Sequence, residues 1–314
     1  MKIVIVGAGG VGGYFGGLLA KSGQDVTFLA RGAHLDAIRE NGLRVKSVHG
    51  DFLIKPAKAT DEATKVGPTD LVLVCVKDYQ LDDAIEAVKH VVGQQTVVIP
   101  LLNGVRAAER LAEKLGRERL MGGLCRVVSF KTAPGVIEQV SSFRSLTFGE
   151  WNCQETARAQ AIYQVMQEAE IEAELSNDIR KAMWTKFLFI TAYSGVASVV
   201  RLPAAQIRSC PETMTMMRQA MEEIEAVARA LGVNLDEDIM QKSMTFFDGF
   251  PGDATASMQR DVQDGRIFEL EAMTGSLIRY GVKSGVPTPV NDFIYAALKP
   301  QEVYVRNRSQ PGSA

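Results

Sequence analysis

Cysteine and histidine are scarce in this chain of 314 residues: four cysteines (Cys75, Cys125, Cys153, Cys210) stand far apart and three histidines stand alone. That spacing excludes a disulfide framework and a Cys/His metal motif, so no metal is expected and a reducing compartment fits best. An excess of either charge is also missing, with 35 Lys plus Arg against 37 Asp plus Glu and a net charge of −2. Nucleic acid is held by surplus cations, and no basic block compensates locally, so a nucleic-acid partner is excluded. Long apolar stretches are limited to two. Residues 3–20 superficially resemble a signal peptide, but seven of them are glycine, and each glycine costs a helix about 1 kcal/mol relative to alanine. Residues 182–200 carry one charge, Lys186; a lysine at the centre of a spanning helix costs about 2.5–3.5 kcal/mol. Neither stretch is read as crossing a membrane, no targeting signal is expected, and the chain is assigned to the cytoplasm.

What is present describes an ordinary soluble protein, 46% hydrophobic and 23% charged, about twice the usual domain length. The first half alternates apolar runs with helical patterns, the signature of an α/β fold with a doubly wound parallel sheet. Strands are expected at 2–6, 26–30, 70–77, 96–99, 120–130 and 136–148, and helices at 13–21, 81–92 and 105–115. From 156 onward the pattern turns helical, with helices expected at 156–170, 179–199, 212–231, 253–264 and 267–280. The change of character falls near 170–177. It divides the chain into a Rossmann-type domain at 1–174, an all-helical domain at 175–306 and a frayed polar tail at 307–314.

Gly7-Ala8-Gly9-Gly10-Val11-Gly12 matches G-x-G-x-x-G. The first glycine permits a tight turn, the second lets backbone approach a pyrophosphate, and the third lets helix pack on strand. Alone the pattern also describes a glycine-rich turn with no ligand. Here it follows a strand and opens a helix in a βαβ unit of about thirty residues, the context a dinucleotide site requires. The second strand ends in Ala30-Arg31-Gly32, without the carboxylate that usually takes the ribose 2′-hydroxyl of NAD. Arg31 can meet a 2′-phosphate with its guanidinium fork, which favours NADP(H); the bland reading is a solvated arginine.

Lys186 lies among Trp184, Phe187, Phe189 and Ile190. A helix apolar on all sides is buried, and its one ammonium is either desolvated for chemistry or carried to water on its own stem. Carboxylates follow in 256–271. Ser257 and Asp261 share a helix face at i,i+4, and Glu269 is expected just inside the next helix. Spacing alone ranks none of these acids above another.

Taken together, the glycine loop with Arg31, Val74-Cys75-Val76-Lys77-Asp78-Tyr79-Gln80, Leu102-Asn103-Gly104, Met183-Trp184-Thr185-Lys186, and Ser257-Met258-x-x-Asp261 with Glu269 resemble the ketopantoate reductase (2-dehydropantoate 2-reductase) family. The resemblance spans nearly the whole chain. It implies a Rossmann domain followed by a helical domain of the 6-phosphogluconate dehydrogenase C-terminal type, with NADPH as hydride donor and a small 2-keto acid as substrate. Lys186 aligns with the family's general acid, and Glu269 with the acid that positions the site and touches the cofactor ribose. Asn103 aligns with an asparagine contacting cofactor and substrate, Ser257 with the serine holding the substrate carboxylate, and Lys77 and Gln80 with positions lining the cofactor cleft. Family members typically carry asparagines four and eight residues after the lysine, and a third in the loop that follows; here those positions are Ile190, Ser194 and, by a looser alignment, Ala204. Ser194 thus takes a substrate-side place with a shorter side chain. The leading expectation is reduction of ketopantoate to pantoate, the first alternative another small 2-keto acid in a more apolar pocket. From another class come a non-catalytic NADP-binding regulator and, weaker, a redox sensor using Cys75 or Cys125. The many apolar helical faces point to a homodimer.

Overall fold

Alternation along the first strand puts Ile3 and Ile5 on one face and Val4 and Val6 on the other, and all four are buried. A strand covered on both faces belongs in the middle of a parallel sheet. The computed structural model describes residues 1–308, and the expected tail lies mostly outside the described residues. Its first elements are β1 (Lys2–Val6), α1 (Gly10–Lys21), β2 (Asp25–Leu29), α2 (Gly32–Asn41), β3 (Leu43–Ser47), β4 (Phe52–Ile54) and β5 (Lys58–Thr60). There follow β6 (Leu71–Val74), α3 (Leu81–Lys89), β7 (Val97–Pro100), α4 (Ala107–Leu115), β8 (Gly122–Ala133), β9 (Val136–Gly149), α5 (Ala157–Glu168) and β10 (Glu172–Leu175).

Five strands form an all-parallel sheet in the order β5-β2-β1-β6-β7, with Ile3 opposite Val26 on one side and Leu71 on the other. Chain order therefore reverses beside β1, between its neighbours β2 and β6. One face packs Ile3, Ile5 and Phe28 against Tyr14 and Phe15 of α1, with Leu35 and Ile38 of α2. The other packs Val4, Val72 and Val98 against Leu81 and Ile85 of α3 and Leu111 of α4. The sheet is doubly wound, a Rossmann-type arrangement.

A second, mixed sheet runs β10-β9-β3-β4, with β8 antiparallel along β9. It shares the first of those two cores through Val45, Ile137, Leu146 and Phe148. Because β10 pairs with β9, the first compact unit extends past 174. It comprises Met1–Asn103 and Ala107–Ala182.

The second unit, Gly104–Arg106 with the chain from Met183, is helical. Its elements are α6 (Ile179–Val200, whose first turn belongs to the first unit), α7 (Ala204–Ser209), α8 (Pro211–Ala230), α9 (Ile239–Asp248), α10 (Ser257–Gln263), α11 (Thr274–Ser284) and α12 (Pro289–Arg308). Helix α6 is long and apolar enough to cross a membrane by length and composition, yet 67% of its most apolar window is buried inside the fold. It is a core helix. Glu223 of α8 accepts the backbone N–H groups of Val290 (2.7 Å) and Asn291 (3.0 Å), so a carboxylate caps the positive end of α12. The expected helix at 267–280 begins only at Thr274. Phe268, Glu269 and Leu270 are buried in succession on an irregular path that precedes α11.

Candidate active site

The glycine loop leaves β1 as the carboxyl edge of the parallel sheet requires. Gly7 has φ +96°, and a Cβ there would lie 2.8 Å from Val76, so both conformation and space demand glycine. Gly12 sits against Ile5 and Cys75, where a Cβ would fall within 2.9 Å of both. Gly9 is different: a Cβ there meets nothing within 4 Å. Gly9 is also the N-cap of α1, and the first turn of that helix carries no acidic residue. The positive end of α1 is therefore open at Gly9 and packed at Gly10, where a Cβ would collide with the Ser129 carbonyl oxygen, and its first turn carries no competing carboxylate. Such an end suits an anion.

Around it, the same edge gathers four sequence-expected positions. Arg31 follows β2, Lys77 follows β6, Asn103 follows β7, and Gln80 closes the single 3-10 turn from Asp78 that leads into α3. In an open α/β sheet ligands bind outside the carboxyl ends of the strands where strand order reverses, and these residues flank that point. Arg31 is exposed, and its guanidinium donates to Asp83 of α3 at 3.1 Å. Asp82 beside it is taken by Arg110. The sequence reading found no carboxylate at the end of β2; the fold brings one there from another element. The Gln80 side chain accepts the N–H of Lys77 at 3.4 Å and the Gln80 N–H donates to the Lys77 carbonyl at 2.8 Å, closing the turn.

In the second unit, Lys186 is half-buried on α6, following Trp184, whose ring meets Phe187 at 5.3 Å and Tyr280 at 5.7 Å. Ile190, one turn on, is also half-buried. Phe189 and Tyr193 stack at 5.8 Å and continue into Phe246, Phe247 and Phe250. The Tyr193 hydroxyl donates to the Ala254 carbonyl at 2.9 Å, and burial pushes its pKa up to about 12, so it stays a neutral donor. That bond ties α6 to the segment leading into Ser257, the first residue of α10. Asp261, one turn later, is paired with Arg266 at 3.1 Å. Half-buried Arg260 donates to the carbonyl and hydroxyl of Thr255 at 2.6 and 2.9 Å. Glu269 is 5% exposed and lies before α11 rather than inside a helix. Within this unit Gly104 has φ +89°, and a Cβ on it would lie 2.6 Å from the Ala272 carbonyl.

Two profiles of known families match this chain. One described as "Ketopantoate reductase PanE/ApbA" matches residues 3–153, and one described as "Ketopantoate reductase PanE/ApbA C terminal" matches residues 178–302. The chain belongs to the ketopantoate reductase family. An uncharacterized oxidoreductase of Bacillus subtilis is 33% identical over 302 residues, covering 96% of this chain and 99% of that protein. A 2-dehydropantoate 2-reductase of Nostoc sp. is 30% identical over 303 residues, with 95% and 94% covered. Among solved structures, a 2-dehydropantoate 2-reductase from Geobacter metallireducens superimposes with a TM-score of 0.89 at 29% identity, covering 96% of this chain and 99% of that one. A ternary structure of D-mandelate dehydrogenase with NADH and anilino(oxo)acetate shares the fold at a TM-score of 0.89 and 22% identity, over 98% and 100% of the two chains.

Against the ketopantoate reductase pattern, two positions depart from expectation. Ser194 has no accessible surface, and its hydroxyl finds no partner in the fold. Ala204 is fully buried as well. The cysteines remain free thiols; burial pushes the Cys75 thiol well above its ordinary pKa, with Cys125 adding to the shift. Reactivity needs the thiolate, so the redox-sensor reading loses its support. Among the described residues no group of three or more His, Cys, Asp or Glu is placed to hold a metal ion. Sequence reasoning missed Asp83 and His34, whose partners are 52 and 101 residues away. Only strand order brings them together.

Proposed function

We propose that this chain reduces a small 2-keto acid to the 2-hydroxy acid with NADPH, and that ketopantoate is its first substrate. The observation that carries this reading is Lys186, the one charge along residues 182–200 of a core helix, in a member of the ketopantoate reductase family. Cofactor binding is supported by the open positive end of α1 and by Arg31 at the end of β2. Gly7, Ala8, Gly9, Gly10, Val11 and Gly12 would hold the pyrophosphate, Arg31 the 2′-phosphate, and Lys77, Gln80, Asn103 and Glu269 the remainder. When bound, the dihydronicotinamide supplies the hydride.

The chain's own residues do the rest. The Lys186 ammonium stabilises charge developing on the keto oxygen and transfers its Nζ proton there, leaving a neutral amine that is reprotonated from solvent. The Ser257 hydroxyl donates to the substrate carboxylate, the Asn103 amide orients the carbonyl, and the Glu269 carboxylate positions the site. The reading includes a cytoplasmic location, no nucleic-acid or membrane partner and a homodimer.

A second reading is favoured by Ile190 and the aromatic cluster of Phe189, Tyr193 and Phe250. A half-buried isoleucine one turn beyond Lys186 suits a 2-keto acid with a larger apolar substituent than ketopantoate. Following NADPH absorbance with ketopantoate, a panel of 2-keto acids and NADH as control donor separates the two readings. Turnover highest with ketopantoate supports the first, and turnover highest with a bulkier acid supports the second. NADPH binding without turnover of any acid would replace both with a non-catalytic regulator.

A further inference from the structure

His34, the third residue of α2, has no part in the assignments above, yet it is 8% exposed and bonded through both ring nitrogens. Its Nε2 lies 2.7 Å from the Ala8 carbonyl in the glycine loop. Its Nδ1 accepts the N–H of Gly135 at 2.9 Å, in the turn between β8 and β9. Because Gly135 donates to Nδ1, that nitrogen carries no proton; Nε2 carries it and donates to Ala8. Burial lowers the imidazole pKa, outweighing the Ala8 bond, and Lys131 lowers it further. The ring is therefore neutral, with one tautomer.

We infer that His34 is the positioning residue of the dinucleotide cradle, holding the Ala8–Gly9 peptide so that the Gly9 N–H faces the bound pyrophosphate. In a trans peptide the carbonyl and the N–H point in opposite directions. A carbonyl drawn to His34 turns the Gly9 N–H away from α2. The bond to His34 also keeps the Ala8 carbonyl, which would repel phosphate if the plane flipped, out of the anion site. Gly9 leaves room for a bound group beside the loop, since a Cβ there would meet nothing within 4 Å. The Gly135 turn fixes the ring from behind: the Gly135 carbonyl accepts Arg44 N–H at 2.9 Å, and a Cβ on Gly135 would lie 3.1 Å from Ala37 of α2. The inference rests on the dinucleotide reading of the loop.

Two amide variants separate the two bonds. His34→Gln places its amide nitrogen near Nε2 and keeps the donor to Ala8; His34→Asn places its oxygen near Nδ1, keeping the Gly135 bond and losing Ala8. NADPH and NADH dissociation constants are measured by fluorescence titration of the full chain, with thermal midpoints taken in parallel. The expected result is that His34→Asn weakens both cofactors about tenfold, the worth of one hydrogen bond. His34→Gln should hold affinity within about threefold, at thermal midpoints that do not track this order. Equal affinities for the two variants, or affinities that simply follow their thermal midpoints, would overturn the positioning role. If the wild-type chain binds neither cofactor, the dinucleotide reading itself fails.

Discussion

Arg31 and Asp83 form one exposed pair at the end of β2, where the proposed preference for NADPH would be decided. Their side chains are 70% and 68% accessible, so the pair is screened and its own stabilisation is about 0.2–1 kcal/mol. A 2′-phosphate accepting the guanidinium offers more, because bonds between ionised partners contribute about 1.5–3 kcal/mol. Arg31→Ala should therefore weaken NADPH about ten- to a hundredfold while NADH changes little. Asp83→Asn should act in the other direction, tightening NADPH by about two- to fivefold through loss of a competing carboxylate. Both follow from the two dissociation constants measured side by side; equal losses for NADPH and NADH in Arg31→Ala would reject the 2′-phosphate contact.

Lys186, Ile190 and Ser194 follow one another at i, i+4 and i+8 along one face of α6, and burial deepens along it, from half-buried Lys186 and Ile190 to fully buried Ser194. Ser194 lies at the sealed end of that face, so Ser194→Asn should overpack it, costing about 1–3 kcal/mol and lowering the thermal midpoint without improving ketopantoate turnover. Ile190 is half-buried, and Ile190→Asn should raise kcat/KM for ketopantoate relative to bulkier keto acids. A gain from the Ser194 change, or none from the Ile190 change, would reverse this division of the helix. Such burial was only partly legible in the sequence. Strands β1, β6 and β7 were plain because residues buried on both sides write unbroken β-branched runs. Strands β3, β4 and β5 were not seen, because exposed Arg44, Lys46, Leu53 and Lys58 interrupt their patterns. Helix α12 was missed because Pro300 and scattered charges blur its stripe. Glu269 was expected in a helix because apolar residues around it recur at helical spacing, whereas the chain there is buried on an irregular path and turns helical only at Thr274. That the glycine loop, Arg31 and Asn103 follow strand ends was legible, because strand ends are marked by local chemistry; the partners of Arg31 and His34 were not, because they come from distant segments.

Stability of the molecule as a whole should respond to acid through Glu271, before α11. Burial alone would raise its pKa. Hydrogen bonds from Lys299 (2.8 Å), Tyr295 (2.5 Å) and Arg279 (2.7 Å) outweigh burial and hold it at about 2, against an ordinary 4.5. A folded pKa below the unfolded one contributes stability that is fully present above about 4.5 and is lost as pH falls toward 2. Thermal midpoints across that window should fall less steeply in Glu271→Gln, which should also melt lower at neutral pH; parallel curves would show that the network stabilises nothing. The central claim, however, is chemical: Lys186 delivers the proton that completes reduction of a 2-keto acid. The most direct measurement is single-turnover NADPH oxidation by Lys186→Ala beside the wild type, with the preferred keto acid and with the NADPH dissociation constant measured on the same samples. The account predicts a rate lower by about 10²–10⁴ with cofactor affinity unchanged; wild-type turnover by Lys186→Ala at unchanged NADPH affinity would contradict it.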